Sequence, residues 1–142
     1  MEKKRVFLGG TCNESTWRDI LIKLIKPYIE YFNPVVDNWT EEAYQNEMRE
    51  KEIDDFQLYV ITPKMTGVFS IAEAVDASNK VPDKTIFCVL LQDDDKVFTE
   101  GQMKSLEKVG EMIDANGGHY FTNLYETAIY LIANCDYSIT NI

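Results

Sequence analysis

Two apolar runs, FQLYVIT at 56–62 and KTIFCVLL at 84–91, lack the polar alternation of a half-exposed strand. Strands of that composition are covered on both faces, as the inner strands of a parallel sheet are when helices pack on either side. The rest of the chain supplies the matching pieces. RVFLGG at 5–10 is a β-rich run closed by two glycines, and TCNEST at 11–16 has the composition of a turn entering a helix cap. The spacing of Trp17, Ile20, Leu21, Leu24, Ile25 and Tyr28 predicts a helix over 15–32, kinked or ended in its regular part by Pro27. YFNPVV at 31–36 is the predicted second strand, interrupted by Pro34.

A charged helix follows over 40–55, opened by a Thr cap and an acidic first turn, as the free amides and dipole of a helix start prefer. After FQLYVIT comes a glycine-containing loop and a short helix within 64–80. The remaining units are a helix over 99–118, the short strand HYF at 119–121 and a final helix over 123–135. Five strand and helix repeats predict an α/β fold, a flavodoxin-like three-layer sandwich with a five-stranded parallel sheet in the order 2-1-3-4-5. A chain of 142 residues fits one domain, 1–142, with a real core.

Charge narrows the partners. The 24 acidic residues against 14 basic ones give a net charge of -10, which repels nucleic acid and anionic membrane surfaces and leaves a small-molecule substrate. Half of that surplus comes from the seven acidic and two basic residues between Glu41 and Asp55. No run approaches the ~18 apolar residues of a membrane span, and MEKKRVFLGG is too short for a secretory signal, so the expected location is cytoplasmic. Cys12, Cys88 and Cys135 are three, without CxxC spacing, and indicate neither a disulfide framework nor a zinc knuckle.

In open parallel sheets ligands bind beyond the carboxyl ends of the strands. Three loops qualify: 9–17, 33–39 and 62–70. In the first, Gly9 and Gly10 permit close approach, and Thr11, Asn13, Ser15 and Thr16 offer hydroxyl and amide groups, although an ordinary tight turn explains them as well. The G-x-G-x-x-G and Walker patterns are absent, so no nucleotide cofactor is implied. Glu73 is the sharper feature. It stands in the first turns of a short helix otherwise lined by Ile71, Ala72, Ala74, Val75 and Ala77, where a rigid element can aim a carboxylate into the cleft, and a solvent-exposed helical Glu is the plainer alternative. Asp76 lies broadly on the same face, as a second ligand or a surface charge.

From VFLGGT through NEMREKEIDDFQLYVITPKMTGVFSIAEAVDAS, the order and spacing of these motifs resemble the nucleoside 2-deoxyribosyltransferase family, including its small relatives that hydrolyse deoxynucleoside monophosphates. The resemblance implies cleavage or transfer of an N-glycosidic bond, with Glu73 as the nucleophile at sugar C1′ and Glu47 handling the base or its proton. It implies no metal and no cofactor, and assembly as a homo-oligomer. It assigns substrate contacts to the 9–18 loop and to Ser70 and Gly67, with Arg18 and Ser15 supplementing an anion site and Asn38 or Trp39 closing over the base. A surface position is the alternative for Arg18. Asp55 is read as structural. Two positions depart from the family: Phe7 stands where an aromatic hydroxyl often orients the nucleophile, and Gly67 where an Asp often engages the base. Two other readings remain, a noncatalytic nucleotide-binding module of the same fold and a glycohydrolase acting on an NAD-type dinucleotide.

The plainer readings cover the rest. His119 is structural or a rim residue, QDDDK at 92–96 is a solvated loop with a divalent-metal loop as the alternative, and Cys88 is a buried apolar residue. Trp17, Trp39, Tyr44 and Phe69 either pack in the core or stack on a base.

Overall fold

The computed structural model describes residues 3–135. Its sheet strands are β1 (Arg5–Gly10), β2 (Glu30–Phe32), β3 (Phe56–Ile61), β4 (Thr85–Val89) and β7 (His119–Phe121), with a small hairpin of β5 (Gln92–Asp93) and β6 (Lys96–Val97). The helices are α1 (Trp17–Ile25), α2 (Glu41–Ile53), α3 (Phe69–Lys80), α4 (Glu100–Ala115) and α5 (Leu124–Cys135). All sheet pairs are parallel, in the order β2-β1-β3-β4-β7. This is the expected 2-1-3-4-5 arrangement and a flavodoxin-like fold.

The pleat divides the core in two. Val6, Leu8, Leu58, Val60, Ile86 and Cys88 point to one face and meet α1 and α5, while Phe7, Tyr59, Ile61, Phe87 and Val89 point to the other and meet α3 and α4. Because β3 and β4 are buried at every position, their lack of polar alternation follows directly from being covered twice, with Gln57 and Thr85 the only polar side chains in the two strands. Helix α2 contributes no buried residue. Thr40 caps it by accepting from the Ala43 amide at 3.0 Å, and Thr99 and Gln102 form a reciprocal cap on α4.

Two expected boundaries move. Helix α1 ends at Ile25, so of the two outcomes expected of Pro27 the stop is realised and not a kink that carries the helix on to 32: Pro27 has no amide hydrogen for the next helical bond and its ring excludes the carbonyl four residues back. The turn closes instead through the Tyr28 and Ile29 amides on the Ile25 carbonyl, and the chain enters the sheet at Glu30. The second strand is therefore Glu30–Phe32, not 31–36. Pro34 cannot donate to a ladder, and the Val35 amide bonds to the Asn33 side chain at 3.0 Å.

QDDDK is not a simple solvated loop either. It forms the β5–β6 hairpin, and Asp93 is buried, accepting a 2.5 Å hydrogen bond from the Ser15 hydroxyl with Lys64 at 3.9 Å.

At the opposite, amino end of the sheet, Asp55 accepts from the Arg5 amide at 2.9 Å, a structural clasp. Beside it Asp54 is fully buried, with the Arg5 Nε 3.4 Å from Oδ1 and Glu50 next to it. Burial and the neighbouring Glu50 push the Asp54 carboxyl up to about 8. The folded protein thus holds a proton that the unfolded chain releases near pH 4, so this contribution to stability is complete below about pH 4 and drains away as the pH rises towards 8. The melting temperature is expected to fall between pH 5 and pH 8, and Asp54→Asn to flatten that dependence. An unchanged slope in the variant would refute the assignment.

Candidate active site

The cleft opens where the strand order reverses, at the carboxyl end of β1 and between α2 and α3. A cavity of about 260 Å³ is lined by Phe7, Gly9 and Gly10 of β1, by Glu47 and Tyr44 of α2, and by Ser70 and Glu73 of α3. Trp39 and Phe69 stand at its rim, and Trp39 meets Tyr44 edge to face at 5.9 Å. A smaller cavity of about 180 Å³ adjoins it through Gly10 and Ser70 and is lined by Thr11, Asn13 and Gly67. Behind Glu73 a wider groove of about 600 Å³ runs between α2 and α3 over Gln57 and Tyr59.

The two carboxylates differ in surroundings. Glu73 is paired with Lys51, whose ammonium reaches its Oε2. Among the described residues Glu47 has no such ion pair, and its carboxyl is held above the usual range by burial first and by the charge of Glu73 second, with Lys51 and Arg18 pulling it part of the way back. The site therefore sets one carboxylate against a cation and keeps a second one proton-hungry. Burial, with Glu73 and Glu47 adding to it, also pushes the Tyr59 phenol upward, so it stays a neutral donor to Gln57 at 2.9 Å.

Residues 3–92 match the family described as nucleoside 2-deoxyribosyltransferase like. The chain belongs to that family. No curated protein and no solved structure matches it. The nucleoside 2-deoxyribosyltransferase-like segment contains the glycine loop, both carboxylates and all of α2 and α3; the matched span ends within the β5–β6 hairpin.

Of the residues singled out from sequence, Glu73, Glu47, Gly9, Gly10, Arg18, Trp39 and Ser70 line the main cavity, and Thr11, Asn13 and Gly67 line its neighbour. Several of these are engaged by the fold itself. Arg18 is buried, not on the surface: its guanidinium donates to the Leu8, Thr11 and Gly10 carbonyls at 3.0, 2.6 and 3.3 Å, and burial lowers its proton affinity. The Thr11 hydroxyl accepts from the Thr62 amide at 2.9 Å, and Asn13 donates to Lys64 and Thr66 across the loops at 2.9 Å. Ser15 is turned to Asp93. Asn38 lies in a separate groove on the far side of Glu47. Trp17 belongs to the core, its indole donating to the Thr11 carbonyl at 2.8 Å.

Lys51 escaped the sequence reading. Its signal was present in NEMREK, where Glu47 and Lys51 stand four residues apart and so share one helical face. No helix among the described residues is long and apolar enough to cross a membrane.

Proposed function

We propose that this chain cleaves or transfers the N-glycosidic bond of a nucleoside or nucleoside monophosphate, with Glu73 as nucleophile and Glu47 as the acid on the base side. The observation that carries this is the pair of carboxylates from facing helices opening on one cavity, one ion-paired and one biased towards its protonated form. Glu73 forms a bond to C1′ as the bond from C1′ to the base nitrogen breaks, and the departing base takes the Glu47 proton. Water or a second base then attacks C1′ and frees the Glu73 carboxylate, with Glu47 accepting the proton. The aromatic rim of Trp39, Tyr44 and Phe69 suits stacking on a base.

The smaller cavity favours a 5′-phosphorylated substrate. It lies against the start of α3, which has no side-chain cap and no acidic residue in its first turn, so amide hydrogens and the helix dipole face an anion unopposed. In this reading the protein works as a cytoplasmic homo-oligomer. Incubation with a panel of nucleosides, nucleoside monophosphates and NAD, with released base followed chromatographically, tests it. Base release from the monophosphates is expected; saturable binding without release supports the noncatalytic alternative, and nicotinamide release from NAD supports the dinucleotide one.

The pH dependence follows from Glu47. An acid must carry its proton, so kcat/KM is expected to fall as the pH rises through the raised Glu47 value. Glu47→Gln keeps the shape but has no proton to give, and is expected to lower kcat by about 10²- to 10³-fold and abolish that alkaline limb. A limb that persists in the variant would move the assignment to another group.

A further inference from the structure

We infer that Lys51 is a positioning residue for Glu73: its ammonium holds the carboxylate on the wall between the main cavity and the groove behind it, leaving Oε1 as the attacking oxygen. This rests on the reading of Glu73 as nucleophile. The geometry separates this ion pair from an ordinary surface contact. Lys51 and Glu73 side chains are only 13% and 17% exposed, whereas Lys80 and Asp76, on the same α3 helix, form a pair that is 72% and 61% exposed. Among the described residues Lys51 is the one side chain that donates to Glu73, and it does so at Oε2.

Lys51 is itself held at both ends. Its backbone carbonyl accepts from Gln57 Nε2 at 3.2 Å, and Gln57 is fixed in turn by the Tyr59 hydroxyl. Its ammonium lies 5.3 Å from the centre of the Phe7 ring and 5.9 Å from that of Tyr59, within reach of both aromatic faces. Phe7 carries no hydroxyl, so the ring nearest this ammonium on β1 cannot donate to the carboxylate, and the donor arrives from α2 instead. No residue of α2 is fully buried, so half-buried contacts and polar ties such as this one hold it against α3. The pair therefore also sets the separation between Glu47, on the same face of α2, and Glu73.

The chemistry is consistent throughout the cycle. When Oε1 bonds to C1′ and the base departs with the Glu47 proton, Oε2 becomes the carbonyl oxygen of the ester and keeps its hydrogen bond from Lys51. When the acceptor displaces the ester, the returning carboxylate charge meets the same cation.

Lys51→Met and Lys51→Arg, both checked for folding by thermal melting, test this. Lys51→Met is expected to lower kcat about 10²-fold with KM nearly unchanged, since orientation and not substrate affinity is lost, and Lys51→Arg to recover much of the loss. Crystal structures form the second arm and need no turnover: the Glu73 carboxylate is expected to leave its place in Lys51→Met and keep it in Lys51→Arg. Glu73 unmoved in Lys51→Met overturns the inference, as does a wild-type kcat in that variant. If the wild-type protein itself releases no base, the glycosidic reading fails separately, and the crystal structures still decide the role of Lys51.

Discussion

Glu73→Gln is expected to lower base release at least about 10⁴-fold while leaving the melting temperature close to that of the wild type. An amide has the size of the carboxylate and can still accept from Lys51, so the fold around the cleft stays closed, but it cannot form the ester at C1′. Alanine is the less informative choice here, because it would leave a mostly buried ammonium unpaired and add a stability loss to the chemical one. The comparison uses the best substrate of the panel, with melting followed by circular dichroism. Turnover within about tenfold of wild type would remove Glu73 from the mechanism, since losing a covalent nucleophile costs far more than that.

The second large effect is on folding. Gly10→Ala is expected to lower the melting temperature by about 10 °C or more, from a loss of at least about 3 kcal/mol. Gly10 has φ +117°, a conformation that residues with a side chain adopt only under strain, and an added Cβ would overlap the backbone of Val60 on the neighbouring strand. The strain would fall on the end of β1, where the Gly10 carbonyl accepts from Arg18 and where the main cavity begins. Gly67→Ala is the matched control. A Cβ there meets nothing within 4 Å, so its stability is expected to stay within about 0.5 kcal/mol of wild type. Equal losses in the two variants would show that glycine content in general, rather than the Gly10 conformation, governs stability.

The sheet was legible in the sequence because burial on two faces removes the need for alternation, and β3 and β4 carry that signature along their whole length. The boundaries of α1 and β2 were not, because a proline near the end of an apolar helical pattern permits either a kink or a stop, and only the pairing of Glu30 to Phe32 with β1 decides between them. At the cleft, Glu73 and Glu47 stand out by their place in the α/β order and do line one cavity. The roles of the loop residues were harder to read. Ser15, Thr11 and Arg18 look like ligand-binding groups in a string of letters, yet their partners are Asp93 and Thr62, both distant in sequence, and three nearby main-chain carbonyls that only the turn of the chain after β1 brings to the guanidinium. Lys51 was hidden for the opposite reason. A lysine in a charged helix reads as solvated until the neighbouring helix supplies a carboxylate at the same depth.

Helices α1 and α5 share one face of the sheet, and Leu21 and Ile25 of the first pack in the same cluster as Leu124, Ala128, Leu131 and Cys135 of the last. A ribosome delivers α5 about a hundred residues after α1. Across that interval the nascent chain carries the apolar side of α1 without its α5 cover, while on the opposite face α3 follows β3 directly and can pack on it early. That uncovered stripe is the surface a chaperone or a neighbouring nascent chain meets first, and it disappears only when residues 124–135 have emerged.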